Sequence, residues 1–292
     1  MLAQAFWKTG FHFSKTCSKL TTPIARGRGT CVTEVVMSRA SRLIAAVGLA
    51  AISLLAAISL AATAVRAAEP VDLLLVLAAD VSRSIDAPKF QLQRDGYAAA
   101  ITDRRVLDVI RSGPNHRIAV CFVEWSGIGA QKLVIDWTPI GDEVSARAFS
   151  SQIVEAQRSF ADRTSISGGI DFAMTQLEHA PFEAKRRIID VSGDGTNNSG
   201  REVTSARDEA VAQGVTINGL VILSERPLAW NADHTNPPGG LEKYYRDNVV
   251  GGPGAFVLVA ENFESFGQAI INKLIAEIAA RTFPRQAELT TR

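Results

Sequence analysis

Residues 71–84 read VDLLLVLAADVSRS, an almost unbroken apolar run that ends at Asp80 and passes into hydroxyl and charged residues. A strand that alternates apolar and polar positions hides one face. One that is apolar throughout, as Val71–Ala79 is, must be covered on both. Parallel strands joined by helical crossovers provide that cover. The sequence downstream supplies the helices. Asp86-Ala87-Pro88 reads as a helix start with Asp86 as N-cap, and the helical pattern continues to about Ile110. Arg117–Trp125 (RIAVCFVEW) is a second strand, and Lys132–Trp137 (KLVIDW) a third. The Gly-containing turn Ser126–Ala130 between them makes an antiparallel edge hairpin.

The alternation then continues. Val144, Ala148, Ile153, Ala156 and Phe160 mark the apolar face of one helix; Ile166, Ile170, Ala173 and Leu177 mark another that starts just after Thr164. Arg187–Val191 is a short buried strand, and Thr204–Gln213 a helix stopped by Gly214. Val215–Leu223 and Ala255–Ala260 are further strands, and Phe263, Phe266, Ile270, Leu274 and Ile278 mark a closing helix. The order predicts an α/β fold of the doubly wound, Rossmann-like kind: a mostly parallel sheet with helices on both faces, as one domain over 69–281 before a flexible tail, 282–292. Cys121 falls inside an apolar strand and reads as a small buried hydrophobe. Trp125 and Trp137 are expected to close the core or the hairpin.

The first 68 residues are of another kind. Eight of the 31 Lys and Arg residues lie there against one of the 30 acids, Glu34, so the remainder carries a net charge of −6. An acidic remainder argues against nucleic acid as a partner. Leu43–Val65 is uncharged and apolar, Arg39 and Arg42 precede it, and Val65-Arg66-Ala67 offers small or modest residues before a cut after Ala67. Residues 37–67 thus read as a signal peptide, or as an N-terminal anchor if retained. Met37 sits where a start would be expected, leaving 1–36 as an over-extended leader or disordered extension. The expected location is the periplasm or the exterior, with anchorage to the inner membrane as the alternative and membrane contact only in that case.

In a doubly wound sheet, ligands bind beyond the carboxyl ends of the strands where strand order reverses. The loops predicted to meet there carry Asp80, Ser82 and Ser84 after the first strand, Thr164 before a helix, and Asp194 after the Arg187–Val191 strand. Two carboxylates and three hydroxyls make an oxygen-only donor set, which suits Mg²⁺ first and Mn²⁺ or Ca²⁺ behind it. The i, i+2, i+4 spacing of Asp80, Ser82 and Ser84 lets all three face one side. The same residue types also cap helices and turns on their own account, and spacing alone allows either.

These residues resemble a known family. Asp80-Val81-Ser82-Arg83-Ser84, Arg163-Thr164 ahead of a helix, and Asp194-Gly195 after an apolar strand look like the three loops of a von Willebrand factor type A domain. The resemblance covers most of Val71–Ala280 and is nearest to exported bacterial proteins of that type. It implies a metal-ion-dependent adhesion site (MIDAS): hydroxyl contacts to Mg²⁺ from Ser82, Ser84 and Thr164, and carboxylate contacts, direct or through water, from Asp80 and Asp194. Two residues depart from the pattern, Arg83 and Arg163, both where the family usually has Gly. Either arginine is placed to pair with Asp80 or Asp194 and compete with a cation.

The function so implied is a non-enzymatic, exported protein-binding module whose partner offers an Asp or Glu carboxylate. The alternatives are an Mg²⁺-dependent phosphoester hydrolase and a scaffold domain with a vestigial metal site. Of the other polar candidates, Glu124 is read as a surface acid at a strand end with an outer role toward metal-bound water as the sharper option. Ser224–Gly240, Pro/Gly-rich, reads as a solvated excursion in which Trp230 and His234 are available to a partner. His116, His179 and His234 are scattered, without zinc-hydrolase spacing.

Overall fold

The computed structural model describes residues 68–223 and 231–279. The leader, the signal segment, Trp230 and the C-terminal tail lie outside the described residues. Six strands form the main sheet: β2 (Leu74–Asp80), β3 (Ile118–Trp125), β4 (Gln131–Ile140), β6 (Arg187–Gly193), β7 (Thr216–Ile222) and β8 (Val257–Ala260). Their spatial order is β4-β3-β2-β6-β7-β8, parallel throughout except for the antiparallel β3–β4 edge pair. Two short strands, β1 (Glu69–Pro70) and β5 (Phe182–Glu183), pair separately.

All seven residues of β2 are buried, as its unbroken apolar sequence requires. Leu75, Leu77 and Ala79 face a core closed by α1 (Ala87–Thr102), α2 (Arg104–Arg111), α3 (Glu143–Glu155) and α8 (Phe266–Ala279). Leu74, Val76 and Ala78 face the opposite core, under α4 (Ile166–Glu178), α5 (Val203–Ala212) and α7 (Leu241–Asn248); α6 (Ala232–Thr235) is a single turn. The doubly wound α/β expectation therefore holds. Cys121, Trp125 and Trp137 are buried in the second core, and Trp137 Nε1 donates to the Gln176 carbonyl at 3.1 Å. Among the described residues no helix is long and apolar enough to cross a membrane.

Three local expectations are corrected. The helix expected to run to Ile110 is broken at Asp103, whose extended backbone ends α1 and whose carboxylate accepts from Arg105 N at 2.8 Å to cap α2. The helix with Val144, Ala148 and Phe160 on its apolar face ends at Glu155, and its buried face is Ala146, Phe149 and Ile153, with Val144 exposed to solvent. A capping box of Asp142 and Ser145 starts that helix. Glu124 is not a surface acid. It is fully buried and ion-paired with Arg94 of α1, itself 1% exposed, while its other oxygen accepts from Ser159 N at 2.7 Å.

Removing one partner of such a pair strands the other charge in the core. Arg94→Met and Glu124→Leu are each expected to cost about 3–5 kcal/mol by urea unfolding, and the double variant to recover most of that loss. A loss in the double variant equal to the sum of the two single losses would mean that the pair is not an interacting unit.

Candidate metal centre

Strand order reverses between β3 and β6, the two neighbours of β2, so the loops after β2 and β6 open a crevice at their carboxyl ends. Asp80 is the last residue of β2, and Asp194 follows β6 directly. Both are fully buried. Asp80 Oδ1 accepts from Ser82 N at 2.7 Å, which turns the chain and brings Ser82 Oγ to 3.1 Å from Ser84 Oγ. Ser84 Oγ in turn donates to Asp194 Oδ1 at 2.5 Å, linking residues 110 positions apart. The first and third loops thus meet as the sequence predicted.

Thr164 arrives on the irregular segment 156–165, and backbone bonds place it. Arg83 N donates to the Asp162 carbonyl at 2.8 Å and Ser165 N to the Ser126 carbonyl at 2.8 Å. Thr164 and Asn198 exchange two bonds: Thr164 N donates to Asn198 Oδ1 at 3.0 Å, and Asn198 N donates to the Thr164 carbonyl at 2.9 Å. Ser165, not Thr164, caps α4, accepting from Gly168 N at 3.1 Å. The Thr164 hydroxyl is left facing a cavity of about 300 Å³, lined also by Arg83, Ser84, Asp162, Arg163, Asn198 and His234.

The electrostatics show what the residues lack. Asp80 Oδ2 and Asp194 Oδ2 are buried without a hydrogen-bond partner. Burial, and then the neighbouring Asp194 charge, push the Asp80 carboxyl up to about 8. Burial raises Asp194 as well, against the Ser84 hydrogen bond and the charges of Lys89 and His234. Two buried carboxylates side by side with open oxygens are what a divalent cation would relieve, and three adjoining hydroxyls add neutral oxygen donors. The donor set therefore fits a hard divalent ion. Among the described residues no group of three or more His, Cys, Asp and Glu is arranged to hold a metal.

The arginines do not fill the site. Arg83 is exposed and pairs with Asp162 at 3.9 Å, and among the described residues Arg163 forms no ion pair with Asp80 or Asp194. The nearby cation is one that sequence reasoning passed over. Lys89, in the first turn of α1, places Nζ 3.8 Å from Asp194 Oδ2 and donates to the Ser84 carbonyl at 3.1 Å. Its position three residues after the Asp86 cap was the available signal. Arg158, likewise missed, donates through Nη2 to the carbonyls of Val81 and Ser82 at 2.7 and 2.8 Å, bracing the first loop from outside.

His234 corrects a second expectation. It is 3% exposed, not solvated, and its Nε2 lies 3.2 Å from Thr164 Oγ1. The ring rests on Gly195, where any Cβ would run into it. Gly193 is equally constrained, since a Cβ there would stand 2.5 Å from the Tyr245 hydroxyl and 3.1 Å from Asp80 Oδ2.

The fold is that of a von Willebrand factor type A-like domain. The chain belongs to a family of proteins of unknown function, DUF1194, whose profile matches residues 70–282. Among solved structures it is similar to proximal thread matrix protein 1 of the mussel byssus, determined with zinc in its MIDAS motif: 16% identity, TM-score 0.51, 72% of this chain and 49% of that one. It is similar as well to the pilus adhesin SpaC of Lactobacillus rhamnosus GG, at 12% identity and TM-score 0.50 over 73% and 31%. A von Willebrand factor type A protein of Catenulispora acidiphila matches at 14% identity and TM-score 0.47 over 71% and 43%. This chain spans about half the length of the mussel protein, and at these identities the likeness is one of fold. No curated protein matches the sequence.

The raised carboxyls have a consequence for stability. A free carboxylate ionises near pH ~4; Asp80 does so at about 8 in the fold, and Asp190, buried on the other face beside Lys273 and Glu277, at about 7. Between those values the folded state holds protons that the unfolded chain has lost, so stability is greatest at low pH and falls as pH rises through the folded values. The Tm of EDTA-treated protein is therefore expected to decline from pH 5 to pH 9, and Asp80→Asn and Asp190→Asn each to flatten the decline. A slope unchanged in both variants would refute the assignment.

Proposed function

We propose that this protein is an exported protein-binding module that holds a divalent cation, Mg²⁺ first and Mn²⁺ or Ca²⁺ behind it, between Asp80, Ser82, Ser84, Thr164 and Asp194, and offers it to an Asp or Glu of a protein partner. One observation carries the reading: two buried carboxylates, each with an oxygen lacking a hydrogen-bond partner, lie where three hydroxyls converge beside a cleft. A divalent cation held there supplies an electrophile with a coordination position open to a partner's carboxylate.

The chain's own residues make that position selective. Two carboxylates balance a double positive charge, and the hydroxyls add oxygen without adding charge, so an incoming third carboxylate meets no excess negative field. Arg83 and Arg163, both exposed at the cleft, bring positive charge to the mouth of a domain that is otherwise net negative. That pattern favours the approach of an acidic segment. Both His234 nitrogens have hydrogen-bonding neighbours, so the imidazole is not a free general base, which supports binding over hydrolysis. Residues 37–67, as signal peptide or anchor, support a periplasmic, secreted or membrane-tethered location. The zinc held by the mussel protein supports including Zn²⁺ among the ions tried.

A ligand that binds only the folded state raises apparent stability by about RT ln(1 + [L]/Kd), or ~2.7 kcal/mol at 100 times Kd. Millimolar Mg²⁺ or Mn²⁺ is expected to raise the Tm of the EDTA-treated protein, and Asp194→Ala to lose the rise while remaining folded by far-UV circular dichroism. Equal rises in parent and variant would place any bound ion elsewhere.

Partner capture follows the same logic. The immobilised protein with Mg²⁺ should retain an exported acidic protein that EDTA releases and Asp194→Ala fails to retain. Retention indifferent to both treatments would sink the carboxylate-bridging reading.

A further inference from the structure

His234 reaches the candidate centre from a segment 40 residues after Asp194 in the chain, and the hydrogen bonds around it determine where its proton sits. The Thr164 backbone amide can only donate, so the Asn198 side-chain atom facing it at 3.0 Å is the oxygen. The other Asn198 atom is then the amide nitrogen, which can only donate, and it faces His234 Nδ1 at 3.3 Å. The Thr196 hydroxyl approaches the same Nδ1 at 3.2 Å. Nδ1 is therefore an acceptor. An imidazolium donates from both nitrogens, so a ring that accepts at Nδ1 is neutral. A neutral ring that accepts at Nδ1 carries its hydrogen on Nε2, and Nε2 is the atom 3.2 Å from Thr164 Oγ1.

The direction of that bond decides what His234 does. We propose, on the metal reading of the preceding section, that His234 is a positioning residue: its Nε2–H occupies one lone pair of the Thr164 hydroxyl and leaves the other for the cation. The imidazole then stays out of the coordination sphere. The relay runs from the Thr164 amide through Asn198 and His234 back to the Thr164 hydroxyl, so one residue's backbone and side chain are fixed by a closed ring of bonds. The main chain is pinned as well, since Thr196 N donates to the His234 carbonyl at 2.9 Å and Gly195 leaves room for the ring. A histidine presenting N–H in place of a lone pair keeps the donor set all-oxygen. That favours hard ions over Zn²⁺, although an imidazole stands beside the site.

The tautomer is read directly from two-bond ¹H–¹⁵N correlations of the metal-free, ¹⁵N-His-labelled protein. The Nε2–H pattern is expected, and an Nδ1–H pattern would overturn the proposal. Metal titration by calorimetry gives a second readout. His234→Ala is expected to weaken Mg²⁺ binding by about 10-fold or more, the usual scale for an outer-shell partner. Asn198→Asp keeps an acceptor for the Thr164 amide but places a carboxylate oxygen at Nδ1, which inverts the tautomer and turns the Nε2 lone pair toward the site. The ratio of Zn²⁺ to Mg²⁺ affinity is then expected to rise by about 10-fold or more. Parent-like affinities and ion ranking in both variants would overturn the positioning role. A parent that binds none of these ions, behaving as Asp194→Ala does, would fail the metal reading itself and is thereby distinguished.

Discussion

A strand buried on both faces and hydrogen-bonded along both edges is the constraint on which this structure depends. β2 has no solvent-facing side chain, β3 lies on one side and β6 on the other. Covering both faces requires helices in two layers, and right-handed crossovers then send the chain to opposite sides of β2. The loops at its carboxyl end must diverge, which leaves the crevice. Asp80 is buried because it terminates this strand, and its partner Asp194 is buried because it leaves the adjacent one. The electrostatic tension at the site is thus a product of topology as much as of residue choice.

The same sheet buries other charges with a different outcome. On the face covered by α1 and α8, Asp190 of β6 pairs with Lys273 of α8 at 2.7 Å; Lys273 also pairs with Glu277, and Asn218 of β7 donates to Glu277 Oε1 at 2.8 Å. Arg94 pairs with Glu124, and the Tyr97 hydroxyl donates to Ser192 Oγ at 2.8 Å. Buried pairs of this kind add little net stability, but a helix that slides leaves a charge unpaired at a cost of several kcal/mol. They therefore fix the register of α1 and α8, two helices that approach so closely at Gly96 that a Cβ there would meet the Phe266 ring. Here the carboxylates have cationic and amide partners within the protein. At Asp80 and Asp194 the partners are one backbone amide, one hydroxyl and one distant ammonium, so no cation pairs there as closely as Lys273 does with Asp190.

How much of this was legible in the sequence follows from the range of each interaction. The strands were legible because two-sided burial writes itself into consecutive residues, and α4 because its apolar stripe is local. Asp80, Ser82 and Ser84 share one loop, and Thr164 and Asp194 take their places from the predicted strand order, so the five were expected together and the fold brings them together. Glu124 was misread because its partner Arg94 is 30 residues away and nothing near either residue marks the pairing. The break at Asp103 was missed because a capping Asp followed by Arg-Arg continues the charge pattern of an exposed helix face. Val144 was placed on the apolar face with Ala148 and Ile153, whereas the helix packs through Ala146, Phe149 and Ile153 and leaves Val144 exposed. His234 had no local signal at all. Its place is set by Thr164, Thr196 and Asn198, which the chain brings to it from two other loops.

That arrangement bears on why the centre keeps its shape. Ser82, Ser84, Thr164 and Asp194 belong to three loops, and in each the backbone is held in place: Ser82 N on Asp80 and Arg158 on the carbonyls of Val81 and Ser82, Thr164 N on Asn198, and Thr196 N on the His234 carbonyl. The side-chain oxygens are thus positioned by the protein's own bonds, so a ligand at this cleft would not have to order the loops. Lys89 fits the same logic. Its ammonium, 3.8 Å from Asp194 Oδ2 on a flexible stem, moderates the carboxylate charge without closing the site, because at that distance it makes no hydrogen bond to it. One movable ammonium thus stands beside two incompletely satisfied carboxylates, and their mutual repulsion is moderated without being removed.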